Sequence, residues 1–357
     1  MVGMSGGVDS SVAAALLKEQ GYEPVGITIT PFKISPDCRT KEHEKSCCSY
    51  KSVLDANHVC EKLGIEHVLV DLTDDFRINV VDNFIKEYLS GRTPNPCVVC
   101  NPIIKWNGMI KKAAQLDCQF IATGHYARVR KDKESERWIL MKGQHSSKDQ
   151  AYFLWRLNQE QLSRTLFPLG ELDKATTREL ARKYNLPVFN KPESQEICFI
   201  PDNDYSNFLL KNSVEAAQIG KGEVILDGKV IGTHKGYFLY TIGQRKGLGI
   251  AYKTPLFVKN IIPETNQVLV APEEELLCKG LIADNINIIK TFSRGIYTVK
   301  IRFKDTGSKA YCHLRDDNTI EVQFIGSKKA IAPGQSCVIY DEDDVIAGGE
   351  IRSTMIL

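Results

Sequence analysis

Short apolar runs alternate with stretches of helical spacing over residues 1–125. Met1-Val2-Gly3-Met4 reads as a short strand. Val12 to Leu17 reads as the apolar part of a helix over 10–20 that ends at Gly21 and opens at a serine or aspartate cap. Val25 to Thr30 predicts a buried strand, 51–63 a helix closing at Gly64, and Ile65 to Leu72 a third strand. Across 75–89, Phe76, Val80, Phe84 and Tyr88 recur at helical spacing. A further helix is expected from Asn101 or Pro102 through Leu116, then a strand over 120–123. This alternation predicts an α/β domain, a parallel sheet with helices on both faces, with its ligand beyond the C-terminal strand ends. Central parallel strands usually run to about five residues, so the first strand is expected to start upstream of Met1.

After about residue 204 the pattern changes. Gly222 to Gly232 reads as a hairpin about Asp227-Gly228. Short strands then recur at 297–303, 310–314, 320–324 and 336–340, which predicts a small β-barrel. The expected organisation is a catalytic domain over 1–204, a central linker domain over 205–279 and a C-terminal β-barrel over 280–357.

Composition narrows the class. Charged residues make up 25% and apolar residues 43% of the 357, ordinary for a globular protein. No apolar stretch approaches membrane-spanning length, and no charged leader precedes a long apolar run, so a cytoplasmic protein with no membrane partner is expected. Net charge is only +2, so any nucleic-acid footprint has to be local. Two segments qualify. Residues 235–259 hold five Lys/Arg and no acid, interleaved with Tyr237, Phe238, Tyr240 and Tyr252; residues 290–309 hold six Lys/Arg against Asp305.

The densest chemistry lies in Gly3-Met4-Ser5-Gly6-Gly7-Val8-Asp9-Ser10. Adjacent glycines let backbone N–H groups turn toward an anion, and the helix start behind them adds partial positive charge. No lysine follows in the spacing of the Gly-x-x-x-x-Gly-Lys loop, and the third glycine of the dinucleotide fingerprint is missing. Ser-Gly-Gly-x-Asp-Ser instead resembles the pyrophosphate loop of ATP pyrophosphatases.

The eleven cysteines are expected to be mostly reduced thiols. Cys100 falls next to a predicted helix start, where a thiol's pKa tends to drop. Cys198, in Ser194-Gln195-Glu196-Ile197-Cys198-Phe199-Ile200-Pro201, reads by spacing alone as a packing residue. Cys60, Cys118, Cys278, Cys312 and Cys337 read the same way. Cys38, His43, Cys47 and Cys48 lack the paired spacing of a zinc site.

Taken together, the glycine loop, Gly91-Arg92-Thr93-Pro94-Asn95-Pro96, Cys100-Asn101, Ala122-Thr123-Gly124-His125-Tyr126, Lys148-Asp149-Gln150, the segment around Cys198 and Tyr240 to Gly247 resemble the bacterial tRNA-specific 2-thiouridylases. The resemblance implies ATP-dependent replacement of O2 by sulfur on uridine 34 of tRNA. It implies ATP contacts at Gly3 to Ser10, Ile29 and Gly124, with Asp9 helping to hold Mg2+. It implies a persulfide on Cys198, delivered by a sulfur-relay protein or cysteine desulfurase, and a nucleophilic role for Cys100 that closes a transient disulfide. Asn95, Pro96 and Cys97 are implied at the target base, and His125, Lys148, Asp149, Gln150, Arg302, Phe303 and Gln335 on the tRNA. Position 97 is often aspartate in that family. Cys97, Cys100 and Cys198 therefore leave open a [4Fe–4S] cluster in place of the persulfide. Two other readings stay open: a related adenylating enzyme with an amine nucleophile, and an RNA-binding protein that keeps the loop without the chemistry.

Overall fold

The computed structural model describes residues 1–31, 50–192, 197–200 and 202–356. Cys38, His43, Cys47, Cys48, Ser194, Gln195, Glu196 and Pro201 lie outside the described residues. The chain divides into two compact units: Met1–Val80 with Pro96–Asp204 and Asp343–Val345, and Val81–Asn95 with Tyr205–Glu342 and Ile346–Leu357.

The first unit is built on a parallel sheet. β1 (Val2–Gly3), α1 (Val8–Glu19), β2 (Gly26–Thr30), α2 (Tyr50–Leu63), β3 (His67–Asp71) and α3 (Thr73–Phe76) come first. A π-helical turn, Arg77–Val81, separates α3 from α4 (Asp82–Leu89), which belongs to the second unit, so the helix expected over 75–89 starts early and is interrupted. Next come α5 (Pro96–Cys100), a π-helical stretch Asn101–Trp106, α6 (Asn107–Gln115) and β4 (Ile121–Ala122). β5 (Ala127–Lys131) and β6 (Trp138–Lys142) form an antiparallel hairpin that the sequence pattern did not bring out. α7 (Gln159–Ser163), β7 (Thr165–Leu166) and α8 (Lys174–Lys183) complete the unit.

The parallel sheet runs β3-β2-β1-β4-β7. β1 occupies its middle, with Val2 in register with Gly26 on one side and Ala122 on the other. Alternation along β1 sorts the two faces. Val2 and Met4 enter a core with Val12, Ala13, Ala14 and Leu17 of α1, Ala56 and Val59 of α2, and Ala181 of α8. Gly3 faces the opposite way, where a Cβ would stand 3.1 Å from Met109 Sδ of α6. The helices thus cover both faces, as expected, and the glycine loop leaves the C-terminal end of the central strand.

In the second unit, α4 packs on α9 (Tyr205–Asn212) by ring contacts: Phe84 edge-on to Phe208 at 6.1 Å and Tyr88 stacked on Tyr205 at 5.3 Å. α10 (Val214–Gln218) follows. β8 (Gly222–Leu226) and β9 (Lys229–His234) form the expected hairpin; Asp227 and Gly228 take φ of 50° and 74°, the turn that left-handed Asp-Gly favours. With β10 (Phe257–Ile262) and β11 (Gln267–Ala271) they form a sheet of order β10-β11-β8-β9.

The C-terminal barrel consists of β12 (Leu277–Ile288), β13 (Gly295–Lys300), β14 (Ser308–Leu314), β15 (Ile320–Lys329), β16 (Ser336–Asp341) and β17 (Asp344–Ile356). Its order is β12-β15-β14-β13-β16-β17, and β12 pairing with β17 closes it. Cys278, Cys312 and Cys337 lie inside with Leu281, Val322 and Ile339, as packing residues. Cys60 is likewise buried, whereas Cys118 keeps partial exposure. No helix among the described residues is long and apolar enough to cross a membrane.

Candidate active site

The helix behind the glycine loop begins two residues earlier than expected. Gly7, extended at φ −99°, caps α1 without any side-chain bond, so Asp9 and Ser10 lie inside the first turn and do not cap it. A glycine cap leaves the early N–H groups facing outward for an anion. The hydroxyls shape the loop: Ser5 N–H donates to Ser10 Oγ at 3.1 Å, and Ser11 Oγ donates to the Gly7 carbonyl at 2.7 Å. Gly6 takes φ +65°, and a Cβ there would also stand 2.1 Å from the Ser52 carbonyl oxygen of α2, so both its conformation and its surroundings call for glycine.

Three other parts of the first unit reach this turn. Gly124, just after β4, lies so close that a Cβ would stand 2.6 Å from Ser10 N. Tyr126 donates its hydroxyl to Asp9 Oδ1 at 2.9 Å, and Lys174 Nζ sits 2.6 Å from the same oxygen. Lys191 donates to the Gly6 carbonyl at 2.9 Å and pairs with Asp55 at 2.6 Å. Neither lysine was legible as a site residue, because nothing local in the sequence ties either to the loop. Ile29, on β2, is half-buried and abuts α6 beside Gly108. Thr28 ties β2 to the loop by donating to the Met4 carbonyl at 2.8 Å.

Pro94-Asn95-Pro96-Cys97 is less loop-like than the two prolines suggested. Pro96 begins α5, and Cys100 is its fifth residue, continuing into Asn101–Trp106. Proline suits the first helical position, where its missing N–H is no loss. Cys100 is therefore inside a helix and buried, away from the terminal turn where a dipole acts most strongly. Cys97 is exposed and Cys198 half-buried. Phe199 beside Cys198 packs edge-on against Phe76 at 5.7 Å. No three His, Cys, Asp or Glu side chains among the described residues gather as a metal site. Cys97, Cys100 and Cys198 thus do not fit a cluster in this conformation.

Several of the expected tRNA residues fasten the backbone. Asp149, buried, accepts from Gly143 N at 3.1 Å and Ala151 N at 3.0 Å. Gln150 accepts from Tyr126 N at 2.9 Å, so it fixes the strand exit that carries Tyr126. Lys148 is half-buried. In the second unit, Gln335 donates to the Thr93 carbonyl at 3.0 Å, and Thr93 N–H donates to the Pro333 carbonyl at 2.8 Å, pinning the turn that ends at Asn95. Arg302 and Phe303 lie beyond the end of β13, not within it, and both are exposed. Asp305 holds that loop by accepting from Ile301 N, Gly307 N and Lys328 Nζ.

His125 packs against Trp106 at 5.6 Å, with Nδ1 2.8 Å from Thr123 Oγ1. Burial of the ring and then the Lys105 ammonium push its imidazole down to about 3. The unfolded chain takes up a proton near 6.5 and the folded one does not. Stability conferred by the neutral ring is complete above about pH 6.5 and declines as pH falls toward 3. Urea midpoints measured across pH 4–7 should fall less steeply for His125→Asn than for the unaltered chain.

Residues 1–202 match the family described as tRNA methyl transferase HUP domain. Residues 207–272 match its PRC-barrel domain, and 278–351 the aminomethyltransferase beta-barrel domain. Over 359 residues the chain is 46% identical to a tRNA-specific 2-thiouridylase MnmA of Salinibacter ruber, covering 99% of this chain and 94% of that one. The chain belongs to the tRNA-specific 2-thiouridylase family. An MnmA of Clostridioides difficile is 44% identical, covering 99% and 98%, and an MnmA 1 of Caldanaerobacter subterraneus 47%, covering 99% and 97%. Both catalytic cysteine positions expected of that family, Cys100 and Cys198, lie in the first unit together with the glycine loop.

Proposed function

We propose that this chain is an ATP-dependent tRNA uridine 2-sulfurtransferase, with the nucleotide domain over 1–204, the linker over 205–279 and the barrel over 280–357. The observation that carries the reading is the glycine-capped α1 start, with Gly124 against its first turn and two lysines reaching the loop. The domain description speaks of methyl transfer, the relatives' names of thiolation. A loop shaped for a nucleotide's phosphates supports thiolation, because a ring oxygen has to be made a leaving group before sulfur can replace it.

In the proposed sequence, O2 of uridine 34 attacks the α-phosphorus of ATP and pyrophosphate departs. The terminal sulfur of a Cys198 persulfide then bonds to C2. Cys100 thiolate attacks Cys198 Sγ, forming a Cys100–Cys198 disulfide; the S–S electron pair passes to the sulfur on C2, and AMP leaves with its oxygen. An external dithiol reduces the disulfide, and a persulfide donor reloads Cys198. Asp9, with phosphate oxygens, suits Mg2+, since that ion usually binds through one or two carboxylates plus substrate phosphates. When bound, Mg2+ supplies charge neutralisation to the triphosphate. Ile29 and Gly124 lie on the adenosine, and Asn95, Pro96 and Cys97 meet the base. His125, held neutral, offers the RNA a hydrogen-bonding ring without a charge. Asp149, Gln150 and Gln335 position backbone, whereas Lys148, Arg302 and Phe303 meet the tRNA.

Incubating the protein with ATP, a persulfide-loaded sulfur donor, a dithiol reductant and tRNA lacking the modification should give 2-thiouridine at position 34 by nucleoside mass spectrometry; no 2-thiouridine refutes the reading. Arg302→Ala should weaken tRNA binding about threefold to tenfold and lower the salt slope by about one, with ATP affinity unchanged. Phe303→Ala should lose a stacking contact, about fivefold or more, with no change in the slope. Filter binding across a salt series measures both.

A further inference from the structure

The glycine loop contains no lysine, yet the triphosphate it is read to hold carries several negative charges. The fold brings two lysines from far along the chain. Lys191 is a brace: its ammonium bridges the Gly6 carbonyl and Asp55. Lys174 is placed differently. It is the first residue of α8, whose start is fixed by Asp173 accepting from Thr176 N at 2.7 Å. Its ammonium lies 2.6 Å from Asp9 Oδ1 and 5.9 Å from the Tyr126 ring centre. The Lys174 side chain is only 14% exposed, and Asp9 belongs to the first turn of α1. A mostly buried cation is thus held beside the turn whose N–H groups await an anion.

We propose that Lys174 binds the pyrophosphate half of ATP and stabilises it as it leaves. The inference rests on the adenylation reading above. In that step a bond forms between uridine O2 and the α-phosphorus. The bond from that phosphorus to the bridging oxygen breaks, and its electron pair stays on pyrophosphate. Negative charge grows on the leaving oxygens, where a preorganised and largely desolvated cation acts more strongly than it would in water. Asp9 aims the ammonium before the nucleotide arrives and keeps it from being an uncompensated buried charge. Tyr126 fixes the Asp9 carboxylate by its hydroxyl bond to the same oxygen.

The test compares pyrophosphate with AMP, since only the first should involve Lys174. Calorimetry on the full chain should show Lys174→Met binding pyrophosphate about 10-fold to 100-fold more weakly, the range for losing a charged hydrogen bond. AMP affinity should stay within about twofold, and tRNA-dependent pyrophosphate release should slow in kcat. Lys174→Arg should recover much of the loss, and Lys174→Gln replaces Lys174→Met if the latter melts early. Equal weakening of AMP and pyrophosphate, or no weakening of either, overturns the proposal. If Lys174 served only to neutralise Asp9, adding Asp9→Asn would restore pyrophosphate binding to Lys174→Met in a titration without Mg2+, where Asp9 has no metal to hold; restoration overturns the proposal and persistent loss supports it. Should the unaltered chain bind neither ATP nor pyrophosphate, the adenylation reading falls and this proposal falls with it, whereas normal binding by Lys174→Met removes the proposal alone.

Discussion

Cys198→Ser is expected to lower 2-thiouridine formation by about a thousandfold or more and to leave binding of ATP and tRNA intact. A hydroxyl cannot carry a persulfide, so no sulfur reaches C2 whatever the fate of the adenylate. Cys100→Ser should fail at a later point: Cys198 still loads sulfur, detectable as a mass gain of one sulfur atom on its peptide, but the S–S bond to the base is not resolved. Cys97→Ser separates the two sulfur chemistries. If Cys198 carries a persulfide, an exposed Cys97 is dispensable to transfer and activity falls by less than about tenfold. If all three thiolates hold a cluster, Cys97→Ser is as damaging as the other two. An amine-using relative would keep its turnover in all three variants. Nucleoside mass spectrometry on modified tRNA reads each outcome, and a Cys198→Ser protein that still thiolates tRNA ends the persulfide reading.

The parts legible in the sequence were those whose physics is local. Ser-Gly-Gly-x-Asp-Ser is contiguous, and the glycines declare a close approach whichever elements supply the other side. Asp227-Gly228 likewise carries its turn in two residues. The start of α1 was misplaced because serine and aspartate are better caps than glycine in isolation; here Gly7 takes that position and Ser10 and Ser11 turn their hydroxyls back to its carbonyl. Pro96 was misread for a related reason. Proline breaks a helix from within but opens one readily, so the same residue marks either a loop or a first turn. The β5–β6 hairpin escaped because Arg128, Arg130 and Lys131 make its first strand look solvent-bound. Arg128 and Arg130 are in fact paired with Asp343 and Asp344, more than two hundred residues away. Long separations in sequence, 165 and 117 residues, likewise hid the bonds that Lys174 and Tyr126 make to Asp9. Asp149 and Gln150 entered only through the resemblance; the backbone bonds their side chains accept, from Gly143 N and Ala151 N and from Tyr126 N, had no local signal in the sequence.

Gly6→Ala is expected to be the most damaging single-methyl change in the first unit, and its cost separates into two parts. Alanine at φ +65° carries left-handed strain of about 1–2 kcal/mol. The added carbon would also stand 2.1 Å from the Ser52 carbonyl oxygen, a backbone atom near the start of α2. Ser52 is buried, and the helix behind it packs through Ala56 and Val59 into the core shared with α1, so α2 has no easy way to retreat. The loop itself has to shift, and the N–H groups facing the phosphates move with it. We expect a stability loss of about 3 kcal/mol or more and ATP binding weakened at least about tenfold. Gly21→Ala supplies the comparison. Gly21 also has positive φ, +87°, but nothing lies within 4 Å of the position its Cβ would take. It should therefore lose only the strain, about 1 kcal/mol, and leave ATP affinity unchanged. Gly124→Ala has no positive-φ strain but would press a methyl within 2.6 Å of Ser10 N, so its effect should fall more on ATP affinity than on stability. Urea unfolding and ATP titration on the three variants test this ordering. Equal stability losses for Gly6→Ala and Gly21→Ala would show that α2 yields, and that the contact with Ser52 does not hold the loop in place.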